Sequence, residues 1–501
     1  MIKRILLFLI AISSPNLFSQ NIFDAILLSG ENTNGTARFE SMGGAFGALG
    51  GDLSSININP AGSSVYNDNE YALTLGIDNK SNKSSFFNTT KESNNTKFSI
   101  NQGGVVWLWK NSGFGDINKI SFGINAQTEK SFRNALDING LNPSNSIDKY
   151  FLNNSNGFNA SELSVGNNET VSSVYKYLGE TFGYSAQQAF LAYQAYLTEY
   201  DSNTNTFSSF ADSSGGVNQK HLYETKGVNT KYNINFAVQF RENYFFGLNI
   251  NTHEVFFEKY LLHKENNFIS SSNIKEIIYE NNLVTQGEGF SIQIGAIAKF
   301  NSLRFGLSYQ SPTWYRLFDE TYQSLETRAI DLNGVNYRDV VNPGVISSYP
   351  AYKLSTPSKL TTSAAIIFGK SGLISIDVIS KDYSKIKLKP KRDFLNTNKT
   401  ISSSLTNTID FRLGGEYRIN QLSLRSGYEK FSSPYKNTFY VKDANSLSFG
   451  LGYDFGSTLV NFSYKMMDLE SNHQLFDTGL EDTARITTDN ILSTISVIFK
   501  F

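Results

Sequence analysis

The run from Phe39 to Tyr66, F-E-S-M-G-G-A-F-G-A-L-G-G-D-L-S-S-I-N-I-N-P-A-G-S-S-V-Y, decides how the rest of the chain is read. Its glycines (Gly43, Gly44, Gly47, Gly50, Gly51 and Gly62) let backbone approach backbone closely and open φ values that other residues avoid. Asn59-Pro60-Ala61, followed by Gly62, carries a fixed φ and a missing donor at Pro60, which predicts a turn. From Glu70 onward polar and apolar residues alternate to the end of the chain. The reading is a compact N-terminal plug, residues 20–69, stoppering a membrane β-barrel over residues 70–501.

Composition supports that reading. Aromatics reach 14%, with 39 Phe and 27 Tyr against 9 Pro, which suits many strands better than a string of soluble domains. A net charge of −1 supplies no field to draw nucleic acid, and the absence of cysteine removes disulfides, thiol catalysis and thiolate metal sites. Lys3 and Arg4 precede the apolar run Ile5 to Ile12, and Ser13 to Gln20 offers small and polar residues for cleavage. Residues 1–19 therefore read as a secretory signal peptide cleaved after Ser19. No later stretch approaches the roughly 18 apolar residues of a spanning helix.

Asn21 to Gly30 has the makings of one or two helical turns stopped by Gly30. The first strand is Glu70 to Asp78, whose Tyr71, Leu73, Leu75 and Ile77 share one face. Hairpins follow at 97–109 with 119–130, 229–240 with 244–257, and 290–300 with 303–310. Three more lie at 359–368 with 372–381, 408–418 with 421–429, and 446–455 with 457–466. A last strand, 489–501, places Ile491, Ile495, Val497, Phe499 and Phe501 on one face, giving about fourteen strands. Tight turns alternate with long links, chiefly 131–228, 258–289, 311–358, 382–407, 430–445 and 467–488. Short inner turns and long outer loops are the asymmetry of an outer-membrane barrel.

The longest link, 131–228, holds structure of its own. Val171, Val174, Tyr175 and Leu178 have helical spacing, as do Ala186, Ala189, Phe190, Tyr193 and Leu197, with Ser185 placed to cap the second helix. Tyr175, Phe182, Phe190, Tyr193 and Tyr196 are candidates for a greasy groove that captures a hydrophobic ligand, or else for the core of the insert itself. Trp314, with Tyr315 and Phe318, poses the same choice in a later link. Trp107 and Trp109 read as an interfacial girdle.

The signal peptide, the S-M-G-G-A-F-G-A-L-G-G-D-L-S-S-I-N-I-N-P-A-G plug, the strand count and the terminal Phe501 together resemble the long-chain fatty-acid and toluene/xylene transporter family of the outer membrane. That resemblance implies a fourteen-stranded barrel with an N-terminal hatch. It also implies passive diffusion of a hydrophobic compound from the exterior, with lateral exit into outer-membrane lipid. The family's Asn-Pro-Ala motif carries over to Asn59, Pro60 and Ala61, with Gly62 beside them, as hatch and gating residues.

Catalysis finds little footing. His221, His253, His263 and His473 lack metal-ligand spacing, and no G-x-S-x-G, G-x-G-x-x-G or Walker loop occurs, so neither metal nor cofactor is expected. Asp377, Asp382, Asp410 and Glu416 are expected to meet Lys381, Arg412, Arg418 and Arg425 in a polar lumen that braces the plug. The rival reading is a non-transporting barrel, a subunit of an outer-membrane protein-secretion or barrel-assembly complex with other outer-membrane proteins as partners. The long 131–228 insert suits docking as well as capture.

Overall fold

A computed structural model describes residues 22–111, 115–331 and 333–501. The expected signal peptide and the tip of the turn at Ser112 and Gly113 lie outside them.

Twenty hydrogen-bonded segments form one antiparallel sheet whose last strand pairs with its first, and because four wall strands are interrupted they make a closed barrel of fourteen. In order the strands are β1 (Glu70–Phe86), β2 (Thr89–Lys110), β3 (Ile117–Ser131, continued by Asn134–Asn142), β4 (Val217–Phe240), β5 (Tyr244–Asn266) and β6 (Ile274–Phe300). β7 runs over Leu303–Gln310 and Trp314–Ile330, broken at Pro312, which has no N–H to give a ladder. β8 is assembled from Asn336–Val341, Ser347–Ser348, Tyr352–Ser355 and Lys359–Phe368, and β9 from Gly372–Asp382 and Lys387–Lys389. β10 (Asn407–Ile419), β11 (Leu422–Phe431), β12 (Ala444–Asp454), β13 (Thr458–Gln474) and β14 (Thr483–Lys500) complete the wall.

Period 2 sorts the side chains as the sequence implies. Tyr232, Ile234 and Phe236 are exposed on the outside, while Lys231, Asn233 and Asn235 between them are buried in the lumen. Tyr71 stacks on Phe499 across the closing seam, with ring centroids 4.7 Å apart. Left-handed residues make the tight turns, among them Asn301, Asn420 and Gly456.

Two expectations are corrected. The links 258–289 and 311–358 are mostly wall, because β5, β6 and β7 continue well past the apolar band. There the outward positions turn polar, as at Glu258, Lys264, Glu276 and Glu280, but the alternation persists and the strands keep pairing. The 131–228 insert is likewise shorter than expected, since it lends Asn134–Asn142 to β3 and Val217–Val228 to β4.

The N-terminal segment lies inside the cylinder. It contains α1 (Ile22–Ser29), α2 (Ala37–Ser41), α3 (Ser55–Ile58) and a 3₁₀ turn over Pro60–Val65. Its backbone presses against wall glycines at one level of the barrel. A methyl added at Gly247 would overlap Pro60 and Ala61, at Gly306 it would overlap Gly47, and at Gly427 it would overlap Gly43 and Met42. Gly295, Gly414 and Gly450 meet Asn59, Met42 and Ser41 in the same way. The wall lacks side chains there because the inner segment occupies their space.

The helical insert closes the outer mouth with α4 (Asp148–Ser155), α5 (Ala160–Leu163), α6 (Val171–Phe182) and α7 (Tyr184–Gln194). Thr170 caps α6 by accepting from the Ser173 N–H at 3.1 Å. Ser185 caps nothing, since it sits within the first turn of α7, which begins directly after Gly183.

The glycine belt is testable. Gly427→Val should lower stability by about 1–3 kcal/mol through overpacking and render residues 22–69 protease-sensitive, whereas Gly415→Ala, whose methyl would find its nearest neighbour 3.9 Å away, should be silent. Thermal unfolding and limited proteolysis read both variants.

Candidate functional site

The tripeptide sits where the inner segment meets β6. Asn59 Nδ2 donates to Gly47 O (2.8 Å) and Ala296 O (3.0 Å), while its Oδ1 accepts from the Ala61 N–H (3.2 Å). One side chain thus caps the 3₁₀ turn and ties it both to the glycine run and to the wall. A ladder of inward amides continues the job. Asn235 Nδ2 donates to Pro60 O (2.9 Å), Asn249 Nδ2 to Ile56 O (2.8 Å) and Gln293 Nε2 to Ile58 O (2.9 Å). Ser308 Oγ also donates to Ile58 O (2.6 Å). Asn235 bonds Asn249, and Asn249 bonds Gln293, so adjacent strands share one network. The sequence analysis does not single out these amides, although N-I-N at 233–235 and 249–251 on the adjacent strands β4 and β5 marks an inward polar row.

On the opposite wall the braces are charged. Arg38 of α2 pairs with Glu416 (2.9 Å), which also meets Arg425 (2.6 Å) and Arg418. Asp377 accepts from the Gly47 N–H (3.0 Å), and Lys381 reaches Glu31 (3.5 Å). Arg412 meets Glu429 (3.7 Å) and Thr33 (3.1 Å). Asp382 turns back on Ser384, and Asp410 accepts from the Ser432 N–H. Glu40 accepts from the Gly35 N–H (2.9 Å) and Ser463 Oγ (3.1 Å), and its burial pushes the carboxyl up to about 7.

Above this floor the lumen is hollow. A cavity of about 490 Å³ is lined by Ile26 and Leu27 of α1 and by Phe132, Leu136, Tyr435 and Met467 of the wall and loops. A smaller chamber of about 170 Å³ adjoins it, with Phe23, Asp24, Tyr223 and His473 lining both. Tyr150, Tyr184, Tyr279 and Phe476 form its upper walls, and Lys259 pairs with Asp24 at 3.1 Å.

The large cavity reaches a defect in the wall. The β2–β3 ladder ends at Gln102↔Gln127, and above it Thr89–Asn101 of β2 pairs only with β1. β3 bulges at Glu129, breaks at Phe132 and Arg133, and leans inward, so that Asn82 Nδ2 on β1 donates to Ala135 O at 2.8 Å. Side chains alone bridge the seam, with Ser93 Oγ donating to Ala135 O (2.6 Å) and Thr128 Oγ1 to Ile100 O (3.4 Å). Lys130, Ser131, Phe132 and Asn134 belong both to this seam and to the cavity lining.

The aromatic candidates divide. Tyr175 and Phe190 are fully buried in the insert's own core, where Tyr175 Oη donates to Gln323 Oε1 at 2.6 Å, so neither lines an exposed groove. Phe182 and Tyr193 pack against that core, Tyr196 is 64% exposed, and Trp314 lies on the outer wall at 51% exposure. The aromatics that converge on the smaller chamber are instead Phe23, Tyr150, Tyr184, Tyr279 and Phe476. Of the elements that carry them, the sequence foreshadows α1 and α7 as helices, but no local pattern signals which loop aromatics converge. His221 and His263 face each other at 3.1 Å while His253 lies beside Tyr315, and no group of three metal-ligating side chains occurs among the described residues.

No protein-family model matches the sequence, and no curated protein matches it either. Solved structures do. The chain superposes on a FadL homologue of Pseudomonas aeruginosa with a TM-score of 0.54 at 10% identity, covering 94% of this chain and 99% of that one. The toluene transporter TodX of Pseudomonas putida gives 0.51 at 13% identity, over 94% and 99% of the two chains. The fold is therefore that of the FadL- and TodX-type outer-membrane barrels, in agreement with the resemblance carried by the sequence.

Asn59→Ala strips the donors from two buried carbonyls and should destabilise the inner segment by about 1–3 kcal/mol, read as faster proteolysis of residues 22–69 in an intact barrel. Glu40 supplies a pH test. Its folded-state pKa of about 7 lies above the ordinary carboxyl value of 4.5, so the folded state binds more protons between them and stability falls as pH rises through that window. Glu40→Gln should flatten the dependence of the unfolding midpoint between those two limits.

Proposed function

We propose that this chain is an outer-membrane channel for passive uptake of hydrophobic small molecules, long-chain fatty acids or aromatic hydrocarbons, exported by a cleaved signal peptide at residues 1–19. The ligand enters beneath the helical insert, passes the chamber at Tyr150 and Tyr279, and occupies the cavity beside α1. It leaves sideways between β2 and β3 into outer-membrane lipid. The inner segment is the hatch, and Asn59, Pro60, Ala61 and Gly62 hold it shut against β6 and the amide ladder, closing the axial way.

The carrying observation is the coincidence of cavity and seam, where an apolar space meets the stretch of wall that lacks backbone pairing. Burial of about 25 cal/mol per Å² of apolar area drives the ligand from water, and no cofactor or energy source is needed. A native chain without cysteine permits a clean test. Ile100→Cys with Thr128→Cys should form a disulfide that staples the seam, cutting uptake of a labelled fatty acid at least severalfold until reductant is added. Unchanged uptake with the bond formed would sink lateral exit.

A second reading keeps one specific support. Tyr232, Phe256, Phe290, Trp314 and Phe318, flanked by Arg316 and Lys353, line a groove of about 1070 Å³ high on the outer wall. A partner subunit of a secretion or assembly complex would fit there, and native co-purification of a stoichiometric partner, lost in Trp314→Ala, would favour it.

A further inference from the structure

The apolar band of the outer wall ends in a charged row. On β5 the band runs through Phe246, Leu248 and Ile250, and on β6 through Ile294, Ile292 and Phe290, all exposed. Just above it Glu254, Glu288, Arg316, Lys353 and Lys389 stand opposite one another on the successive strands β5 to β9. The row is acidic on β5 and β6 and basic from β7 to β9. Its basic end continues along the chain as K-I-K-L-K-P-K-R, residues 385–392, in which Lys385, Lys387, Lys389, Lys391 and Arg392 are exposed while Ile386 and Leu388 are buried.

This run is held in place. Beyond it α8 (Leu395–Ser404) brings Asn398 against Leu388, where Oδ1 accepts from the Leu388 N–H and Nδ2 donates to Leu388 O, each at 2.9 Å. With Leu388 fixed inward, period 2 sends Lys387 and Lys389 outward. Lys353, Lys385, Lys387, Lys389 and Lys391 enter no ion pair among the described residues. The acids that face them are few and mostly engaged. Glu288 stands opposite Arg316, Glu254 accepts from Tyr232 Oη (3.3 Å), and Glu320 accepts from Ser348 Oγ (3.2 Å). Asp382 turns back on the Ser384 N–H, and Asp393 pairs with Arg392 at 3.0 Å. A chain whose net charge is −1 thus keeps a local cationic excess on this one face.

We propose that Lys353, Lys387 and Lys389, with Arg316, form a site on the outer wall for a membrane lipid with an anionic phosphate head group. Lysines at the edge of an apolar band lay their stems along it and hold their ammonium groups at the height of lipid phosphates. Trp314 and Phe318, which flank Arg316 at the groove of about 1070 Å³, supply the apolar wall for an acyl chain. Charge and height together favour a lipid over a protein partner, because the row follows the border of the band. The inference rests on the outer-membrane placement of the barrel and not on passage of any cargo.

Native mass spectrometry of the full-length protein in neutral detergent tests it, with dioleoyl phosphatidic acid and dioleoyl phosphatidylcholine as probes that share their chains. Wild type should bind the anionic lipid about tenfold more tightly, the scale of one charge-assisted hydrogen bond, and the preference should shrink as salt is raised. Changing all three lysines, Lys353→Gln, Lys387→Gln and Lys389→Gln, should abolish the preference while leaving phosphatidylcholine binding unchanged. The corresponding Lys→Arg triple should keep it, which separates lost charge from lost folding. Equal binding of the two lipids by wild type overturns the site, and leaves the uptake reading to its own test at the β2–β3 seam. Displacement of phosphatidic acid by an equal concentration of inorganic phosphate would show a free-anion site and also overturn it. So would a protein that co-purifies with wild type and is lost from the Gln triple while the lipids are not discriminated.

Discussion

Every backbone N–H and C=O that faces hydrocarbon must find its partner within the protein, because an unsatisfied group there costs several kcal/mol. That constraint explains closure of fourteen strands, with β1 and β14 paired continuously from Glu70↔Lys500 to Ser85↔Arg485. It also makes the unpaired stretch between β2 and β3 the informative place in the wall. Phe98 and Ile100 still face outward there, yet the ladder beside them has stopped. Irregular backbone at such a depth is tolerated where it lines a cavity, and a cavity is what lies behind it.

The inner segment obeys the same rule from within. Its carbonyls at Ile56, Ile58 and Pro60 are taken up by wall amides, and its glycine run occupies space the wall glycines leave free. Small residues on both sides are one arrangement seen from two directions. Bulk on either side would force backbones apart and expose the polar groups that now pair. Charged braces on the far side, Arg38 with Glu416 above all, fix orientation more than they add stability, since desolvation offsets much of a buried pair's attraction.

Period 2 survives in any strand with one face in lipid, which is why all fourteen staves were legible in the sequence. Their upper halves were not. Once the outward face meets water, residues such as Glu258 and Lys264 look like loop, although β5 and β6 hold them in register. Asn59-Pro60-Ala61 was readable because a turn motif is local. The cavity was not, since Phe23, Tyr150, Tyr279 and Phe476 come from four separate parts of the chain. The β3 bulge is equally silent, for an extra residue leaves no composition signal and shows only as the register shift between Thr128 and Lys130.

If the chain passes an apolar cargo as proposed, the shape of the lumen favours one route over the other. An axial path would have to break the Asn59 contacts, the amide ladder and the Arg38–Glu416 pair before a ligand reached the inner turns. It would then release an apolar molecule into water, giving back about 0.8 kcal/mol for each CH₂ group. The sideways path breaks only side-chain bridges such as Ser93 to Ala135, and it ends in hydrocarbon, where that transfer energy is kept. For a chain of about ten carbons the difference is roughly 8 kcal/mol, larger than the few hydrogen bonds across the seam. On the uptake reading, a barrel with a fastened floor and a weak wall would sort its cargo by hydrophobicity, with the gradient supplied by the membrane itself.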